Sequence, residues 1–176
     1  MKKSRIIACT AAIVGMSVAV RISKNLITTI QFVNIPLVFT IVGATMLGWL
    51  YGLLIGILSF VVSDILLGLG PWTIFTSTTC GLIGALWGLF FRKVNDSLLV
   101  FLTVFLLTLT YDIFTSWILY VIFGIEPMKA MIISIVGLFL PIMGGFMIGV
   151  GPITEASTAF LTTIFLKGLK SRRLVR

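Results

Sequence analysis

The fold of this chain is decided by one stretch, Leu67-Gly-Leu-Gly-Pro-Trp-Thr-Ile-Phe-Thr-Ser-Thr-Thr-Cys-Gly-Leu-Ile-Gly-Ala-Leu-Trp-Gly-Leu-Phe-Phe-Arg-Lys93. One apolar run ends where it begins, the chain turns at Gly70-Pro71-Trp72, and a second apolar run follows. Between the two runs lie an indole, several hydroxyl groups and a thiol, from Trp72, Thr73, Thr76, Ser77, Thr78, Thr79 and Cys80. Lipid does not require such a cluster, so we interpret it as the mouth of a small-molecule site.

The composition predicts a membrane protein. The chain has 176 residues, of which 59% are hydrophobic and 10% charged, and its mean hydropathy is +1.22. Soluble domains carry about 25% charged residues, so this chain has too few polar side chains to cover a water-exposed surface. Runs such as 97–123 are apolar on every face and lack the alternation of barrel strands. We therefore predict an all-α integral membrane bundle, with residues 1–176 in a single domain.

The basic residues predict the orientation of the segments. The net charge is +8, and the basic side chains lie at segment ends and in the tails, which follows the positive-inside rule rather than nucleic-acid binding. The sequence contains seven apolar runs. An even number of them must cross the membrane if three basic groups are all to lie in the cytoplasm: residues 2–5, the pair Arg92-Lys93 and the C-terminal tail. We predict six transmembrane helices in the cell membrane, both termini cytoplasmic, and a broken or loop-like stretch over 128–152.

This orientation gathers the polar side chains at the outer face. Residues 23–35 are predicted to form a long first loop or an interfacial helix on that side. Tyr111 and Asp112 lie in the outer half of the fifth segment, and Asp64 lies in the outer part of the third. We predict one outward-facing site, whose substrate-binding residues are Asn34, Asp64, Trp72, Thr73, Thr76, Cys80, Tyr111 and Asp112.

The acidic and aromatic members of this set have alternatives. Burying an unpaired carboxylate in the membrane costs about 2.5–3.5 kcal/mol. Asp64 and Asp112 therefore either contact a ligand or pair with groups of this chain, such as Arg21 or Lys24. Trp72 either stacks on a planar ligand or belongs to an aromatic belt at the interface. Glu155 follows Pro152 at a predicted helix start, where the helix dipole favours a carboxylate.

Residues 6–123 resemble the S component, the substrate-binding subunit of an energy-coupling factor (ECF) transporter. The resemblance is carried by Ser63-Asp64-Ile-Leu-Leu-Gly-Leu-Gly-Pro-Trp-Thr73 and by Gly81-Leu-Ile-Gly-Ala-Leu-Trp-Gly-Leu-Phe90. These phrases are similar to the GPWT-type branch of the family, whose members are often assigned to the uptake of cobalamin or related vitamins. The chain length, the six predicted crossings and the alanine-bearing first helix also fit.

The resemblance implies a subunit that captures a vitamin at the outer face, with cobalamin or a related corrinoid as the leading ligand and riboflavin or thiamine as alternatives. A membrane coupling subunit and two cytoplasmic ATPases would supply the energy, because this chain has no phosphate loop. Small residues of the first helix either pack inside this chain or form the docking face for the coupling subunit. These residues are Ala8, Ala12, Gly15 and Ala19, which we call the small-residue stripe.

Under this resemblance, Cys80 is the site residue with the most specific predicted role, that of a ligand to a corrin cobalt. A soft thiolate suits a corrin cobalt, so Cys80 is a metal ligand only if the ligand is a corrinoid. The alternative is a small apolar residue packed between helices. No resident cofactor is expected. Cys9 and Cys80 lie in different apolar runs at opposite membrane faces, so no disulfide is predicted.

Two other classes of protein compete with this interpretation. One is a membrane-embedded enzyme of lipid or isoprenoid metabolism, which needs a close acidic pair or another acid–base set. The five acidic residues are far apart in the sequence and there is no histidine, so we expect no enzymatic activity. The other class is a ligand-free scaffold subunit, against which the polar mouth argues.

Overall fold

In the computed structural model, which describes residues 2–28, 30–139 and 150–171, these residues form a bundle of seven α-helices. The helices are α1 (Lys3–Ile27), α2 (Ile35–Leu47), α3 (Trp49–Leu67), α4 (Pro71–Leu86), α5 (Ser97–Ile122), α6 (Pro127–Gly137) and α7 (Val150–Ser171). A π-helical turn, Trp87–Phe91, continues α4. The described residues contain no strand, so the all-α prediction is confirmed.

Four of these helices are long and apolar enough to cross a membrane, namely α1, α3, α5, and α4 together with its π-helical turn. The apolar helices α2 and α6 are shorter, with 13 and 11 residues. A helix rises 1.5 Å per residue, so α2 is about 20 Å long, whereas the hydrocarbon core of a bilayer is about 30 Å thick. The long helices are those expected of a membrane protein.

Helix boundaries differ from the sequence prediction at two places. α1 continues to Ile27, so the first loop covers only 28–34 rather than 23–35. The reason is that no glycine or proline interrupts residues 22–27, and Lys24 suits the last turn of a helix. In the predicted broken stretch 128–152, residues up to Gly137 are helical, and residues 140–149 lie outside the described part.

The short helix α2 lies at the centre of the bundle and contacts α1, α3, α4 and α7. Asn34 caps its start, where the side-chain oxygen accepts a hydrogen bond from the Leu37 N–H at 3.2 Å. Pro36 follows in the first turn, where a missing N–H costs nothing. Gly48 ends the helix with a φ of 100°, a conformation that favours glycine, and α3 begins at the next residue.

Helices α3 and α4 approach each other through glycines. Gly52 and Gly56 of α3 face Gly81 and Gly84 of α4. A methyl group at Gly56 would lie 2.6 Å from the Gly81 nitrogen, so there is no room for a side chain. Small residues at this spacing let two membrane helices pack backbone to backbone. Gly81 and Gly84, which belong to the stretch 67–93, therefore contribute to this contact between α3 and α4.

The bundle has two distinct ends. At the upper end, which carries loop 28–34 and the start of α7, the Asn34 N–H donates to the Thr158 hydroxyl at 2.9 Å. At the lower end, where α2 and α4 finish, the Arg92 guanidinium donates to the Thr45 carbonyl at 2.9 Å. The helix order α1 to α5 thus alternates between the two ends, and α7 returns from the upper to the lower end.

We expect Gly56→Ala to destabilise the bundle by about 1–3 kcal/mol, because the added methyl group overpacks the α3–α4 contact. Thermal unfolding in detergent measures the change. Gly15→Ala is the matched control, since nothing lies within 4 Å of a methyl group at that position. Equal unfolding midpoints for the two variants would contradict the proposed tight contact.

Candidate functional site

An ion pair joins α1 to α3 at the upper end. Arg21 donates to one carboxylate oxygen of Asp64 at 2.6 Å, and it also donates to the Ser63 hydroxyl. The Thr73 hydroxyl donates to the other carboxylate oxygen at 2.7 Å. Asp64 is only 1% exposed. The sequence left two alternatives for Asp64, a ligand contact or a pair within this chain, and the structure contains the pair with Arg21. Thr73, from the stretch 67–93, also bonds to the Asp64 carboxylate.

Aromatic rings extend from this ion pair into the bundle. The Arg21 guanidinium carbon lies 4.5 Å from the centroid of the Phe60 ring, a cation–π contact. The Phe60 and Tyr111 rings stack with their centroids 6.0 Å apart. Tyr111 is buried and lies beside the Asn34 side chain. The rings thus connect two of the predicted site residues, Tyr111 and Asn34, to Asp64.

A polar cavity of about 160 Å³, which we call the donor cavity, lies beneath loop 28–34. Its polar lining comes from side chains that carry N–H groups: Arg21, Lys24, Asn25, Gln31 and Asn34. Asn34 is 1% exposed, and within the described part of the chain its NH2 group has no hydrogen bond of normal length, although its side chain lies beside that of Tyr111. Because buried N–H donors need acceptors, this lining suits a ligand that presents hydrogen-bond acceptors.

A second cavity of about 240 Å³, the carboxylate cavity, lies between α5, α6 and α7. Its lining is Gln31, Asp112, Ser116, Gly137, Leu138, Gly151 and Thr154, so Gln31 belongs to both cavities. The Asp112 carboxyl interacts with that of Glu155. Glu155 is fully buried, and among the described residues its carboxylate oxygens have no bonding partner other than this Asp112 carboxyl group.

Glu155 is the residue that the sequence analysis missed. The sequence places Glu155 at a helix start, where its carboxylate is interpreted as a partner of the helix dipole. That interpretation suits an exposed side chain. In the structure it faces the bundle instead, because α5 and α7 pack against each other. The signal available in the sequence was the run of small neighbours, Ala156 to Thr158, which allows close packing around a carboxylate.

Other predicted site residues lie apart from the two cavities. Trp72 is 43% exposed and lines neither cavity. The Thr76 hydroxyl donates to the Trp72 carbonyl of its own helix at 2.8 Å. Cys80 is fully buried, and its sulfur lies 3.4 Å from the Thr40 hydroxyl. Of the predicted site residues, only Asn34 and Asp112 therefore line one of the two cavities. Asp64, Thr73 and Tyr111 adjoin the donor cavity through the ion pair and the stacked rings, and Trp72, Thr76 and Cys80 lie outside both linings.

The small-residue stripe of α1 faces outward. Ala8, Ala12, Gly15 and Ala19 are all exposed, whereas Ile13, Val14, Ser17 and Val18 are the buried face of the helix. The stripe borders an apolar groove of about 480 Å³ between α1 and α3, to which Gly15 and Leu58 contribute. The stripe is thus not used for packing among the described residues of this chain.

The chain has no match among protein-family models, curated proteins or solved structures. Its site is interpreted below from its own residues and their contacts.

We expect Asp64→Asn to destabilise the protein by about 3 kcal/mol, because it leaves the Arg21 guanidinium without its buried partner. Arg21→Gln alone should cost a similar amount. The double variant should recover part of the loss, since neither charge then remains unpaired. Unfolding midpoints of the four proteins in detergent give this comparison, and strictly additive losses would contradict a coupled pair.

Proposed function

We propose that this chain is the substrate-binding membrane subunit, or S component, of an ECF-type importer that captures a vitamin at the outer face of the cell membrane. The observation that carries the proposal is the donor cavity, where the cations of Arg21 and Lys24 and the buried amide of Asn34 lie beneath loop 28–34. A concave site with a few convergent polar groups is typical of small-molecule binding. The site would bind its ligand without chemical change.

A six-crossing arrangement would put this site outside. In it, α1 to α5 and α7 cross, and the short α6 does not. The lower end carries the N-terminal basic residues, Arg92 and Lys93, and the positive-inside rule assigns that end to the cytoplasm. Both termini are then cytoplasmic, and both cavities open toward the outer face.

The cavities favour a small polar vitamin over a corrinoid. Their volumes, about 160 and 240 Å³, are below the range of about 300–1,000 Å³ for drug-sized ligands. Cobalt ligation would need Cys80, whose sulfur is fully buried against Thr40. A corrin would reach it only if α2 and α4 moved apart. We therefore place a molecule of thiamine or riboflavin size ahead of cobalamin.

The small-residue stripe is our proposed docking face for a membrane coupling subunit, which two cytoplasmic ATPases would drive. Its exposure supports this role, as does the neighbouring apolar groove. Small side chains let a second helix approach closely. The energy must come from such partners because the sequence contains no phosphate loop.

The protein, purified from vitamin-supplied cells, should carry a small molecule that mass spectrometry and absorbance identify. We expect Lys24→Gln to reduce its retention about tenfold or more, the loss of one charge-assisted hydrogen bond. Lys129→Gln is the matched control, because Lys129 is exposed and pairs with Glu126. No bound molecule, or equal retention in both variants, would contradict the proposal. A bound cobalamin whose visible spectrum changes in Cys80→Ala would instead establish the corrinoid form.

Gly15→Leu should leave binding of the identified vitamin intact and abolish its uptake by cells. The bulky side chain would block docking, while the fold tolerates it because nothing surrounds that position. Uptake of the labelled vitamin is the measurement. Met16→Leu is the control, since Met16 is an exposed neighbour outside the stripe. Normal uptake by Gly15→Leu would remove the stripe from the docking face.

A further inference from the structure

Asp112 lines the carboxylate cavity, and the buried carboxyl group of Glu155 adjoins it. Among the described residues, the Glu155 carboxylate oxygens have no bonding partner other than the Asp112 carboxyl group. Asp64, in contrast, has Arg21 on one oxygen and Thr73 on the other. Two adjacent carboxyl groups in an apolar bundle need either a cation nearby or a proton that they share.

The basic side chains of the upper end are engaged elsewhere. Arg21 pairs with Asp64, and the Lys24 ammonium donates to the Ile30 carbonyl at 3.3 Å. Lys129 is exposed and pairs with Glu126 at 2.9 Å. The sequence of residues 140–149, which lie outside the described part, contains no basic residue. No basic side chain of the described upper end is therefore free to balance Asp112 and Glu155, which leaves either a proton shared by the two carboxyl groups or a cation from outside the chain.

We propose that Asp112 and Glu155 form a binding site for a singly charged cation in the carboxylate cavity. The cavity has room for more than a water molecule, and the Ser116 hydroxyl and the Gln31 side chain add polar groups to its lining. Oxygen ligands of this kind bind alkali and ammonium cations, and carboxylates bind organic cations through charge-assisted hydrogen bonds. The cation is either an inorganic ion or the cationic group of the captured molecule, and only this second form rests on the proposed function.

The position of Gln31 favours the second form. Because Gln31 lines both cavities, the cation site and the donor cavity are neighbours. One cavity presents the Asp112 carboxyl group, with Glu155 behind it, and the other presents N–H donors. A molecule with a cationic group at one end and hydrogen-bond acceptors at the other would satisfy both linings, including the buried amide of Asn34.

The test is a titration of the purified chain in detergent with sodium chloride, methylammonium chloride or N-methylpyridinium chloride. N-methylglucamine chloride keeps the ionic strength constant. We expect at least one probe to raise the unfolding midpoint in a saturable way. Asp112→Asn and Glu155→Gln should each weaken the apparent affinity about tenfold or more. Without a probe, Glu155→Gln should unfold no lower than the parent, because one carboxylate fewer then needs a counter-charge in the apolar bundle.

Glu126→Gln is the control, since it removes one exposed carboxylate from the same end of the bundle and should keep the shift. A shift by sodium alone identifies an inorganic ion site, and a shift by an organic probe identifies the ligand's cationic group. The inference is wrong if no probe gives a saturable shift, or if the double variant Asp112→Asn/Glu155→Gln shifts as the parent does. In either case Asp112 and Glu155 bind no cation and simply share a proton. The titration uses neither vitamin nor partner, so a failure of the proposed function would not change its outcome.

Discussion

The structure depends on one constraint, that a polar group inside an apolar helix bundle must find its partner within the same chain. The Trp87 indole N–H meets this constraint by donating to the Thr45 hydroxyl at 2.7 Å. Hydroxyl groups within helices meet the constraint by bonding to the backbone of their own helix. The Thr108 hydroxyl, for example, donates to the Val104 carbonyl at 2.8 Å. In the described part of the chain, the buried side-chain atoms without a hydrogen-bond partner of normal length belong to four residues, Ser17, Asn34, Ser59 and Glu155, of which Asn34 and Glu155 lie at the upper end.

The two ends of the bundle use their charged side chains differently. At the lower end, Arg92 is bonded to the carbonyls that end α2, so its charge holds the helix ends together. At the upper end, Arg21 pairs with Asp64, whereas Asn34 and Asp112 border cavities. Unsatisfied polar groups lower stability, and proteins keep them where a ligand or an ion makes use of them. The upper end is therefore where we propose a binding site.

The sequence predicted the elements of this fold better than the directions of their side chains. The composition and the apolar runs predicted an all-α bundle, and the described residues form one. In contrast, α4 is apolar on most of its surface, so no periodicity shows which face turns inward. Thr73 therefore reaches Asp64, whereas Trp72 and Thr76, on other faces of the same turn, stay outside the cavities. Glu155 was missed because its burial depends on contact with α5, a long-range event that local sequence does not encode.

The shortness of α2 has a consequence for how a solute would arrive. If α2 crosses the membrane, its length, about 10 Å less than the hydrocarbon thickness, requires the membrane surface to dip at one or both of its ends. At the upper end such a dip would bring water to Arg21 and Lys24, which line the donor cavity. A cleft with low-dielectric walls focuses field lines, so their charges would raise the encounter rate for acceptor-bearing solutes before any contact is made.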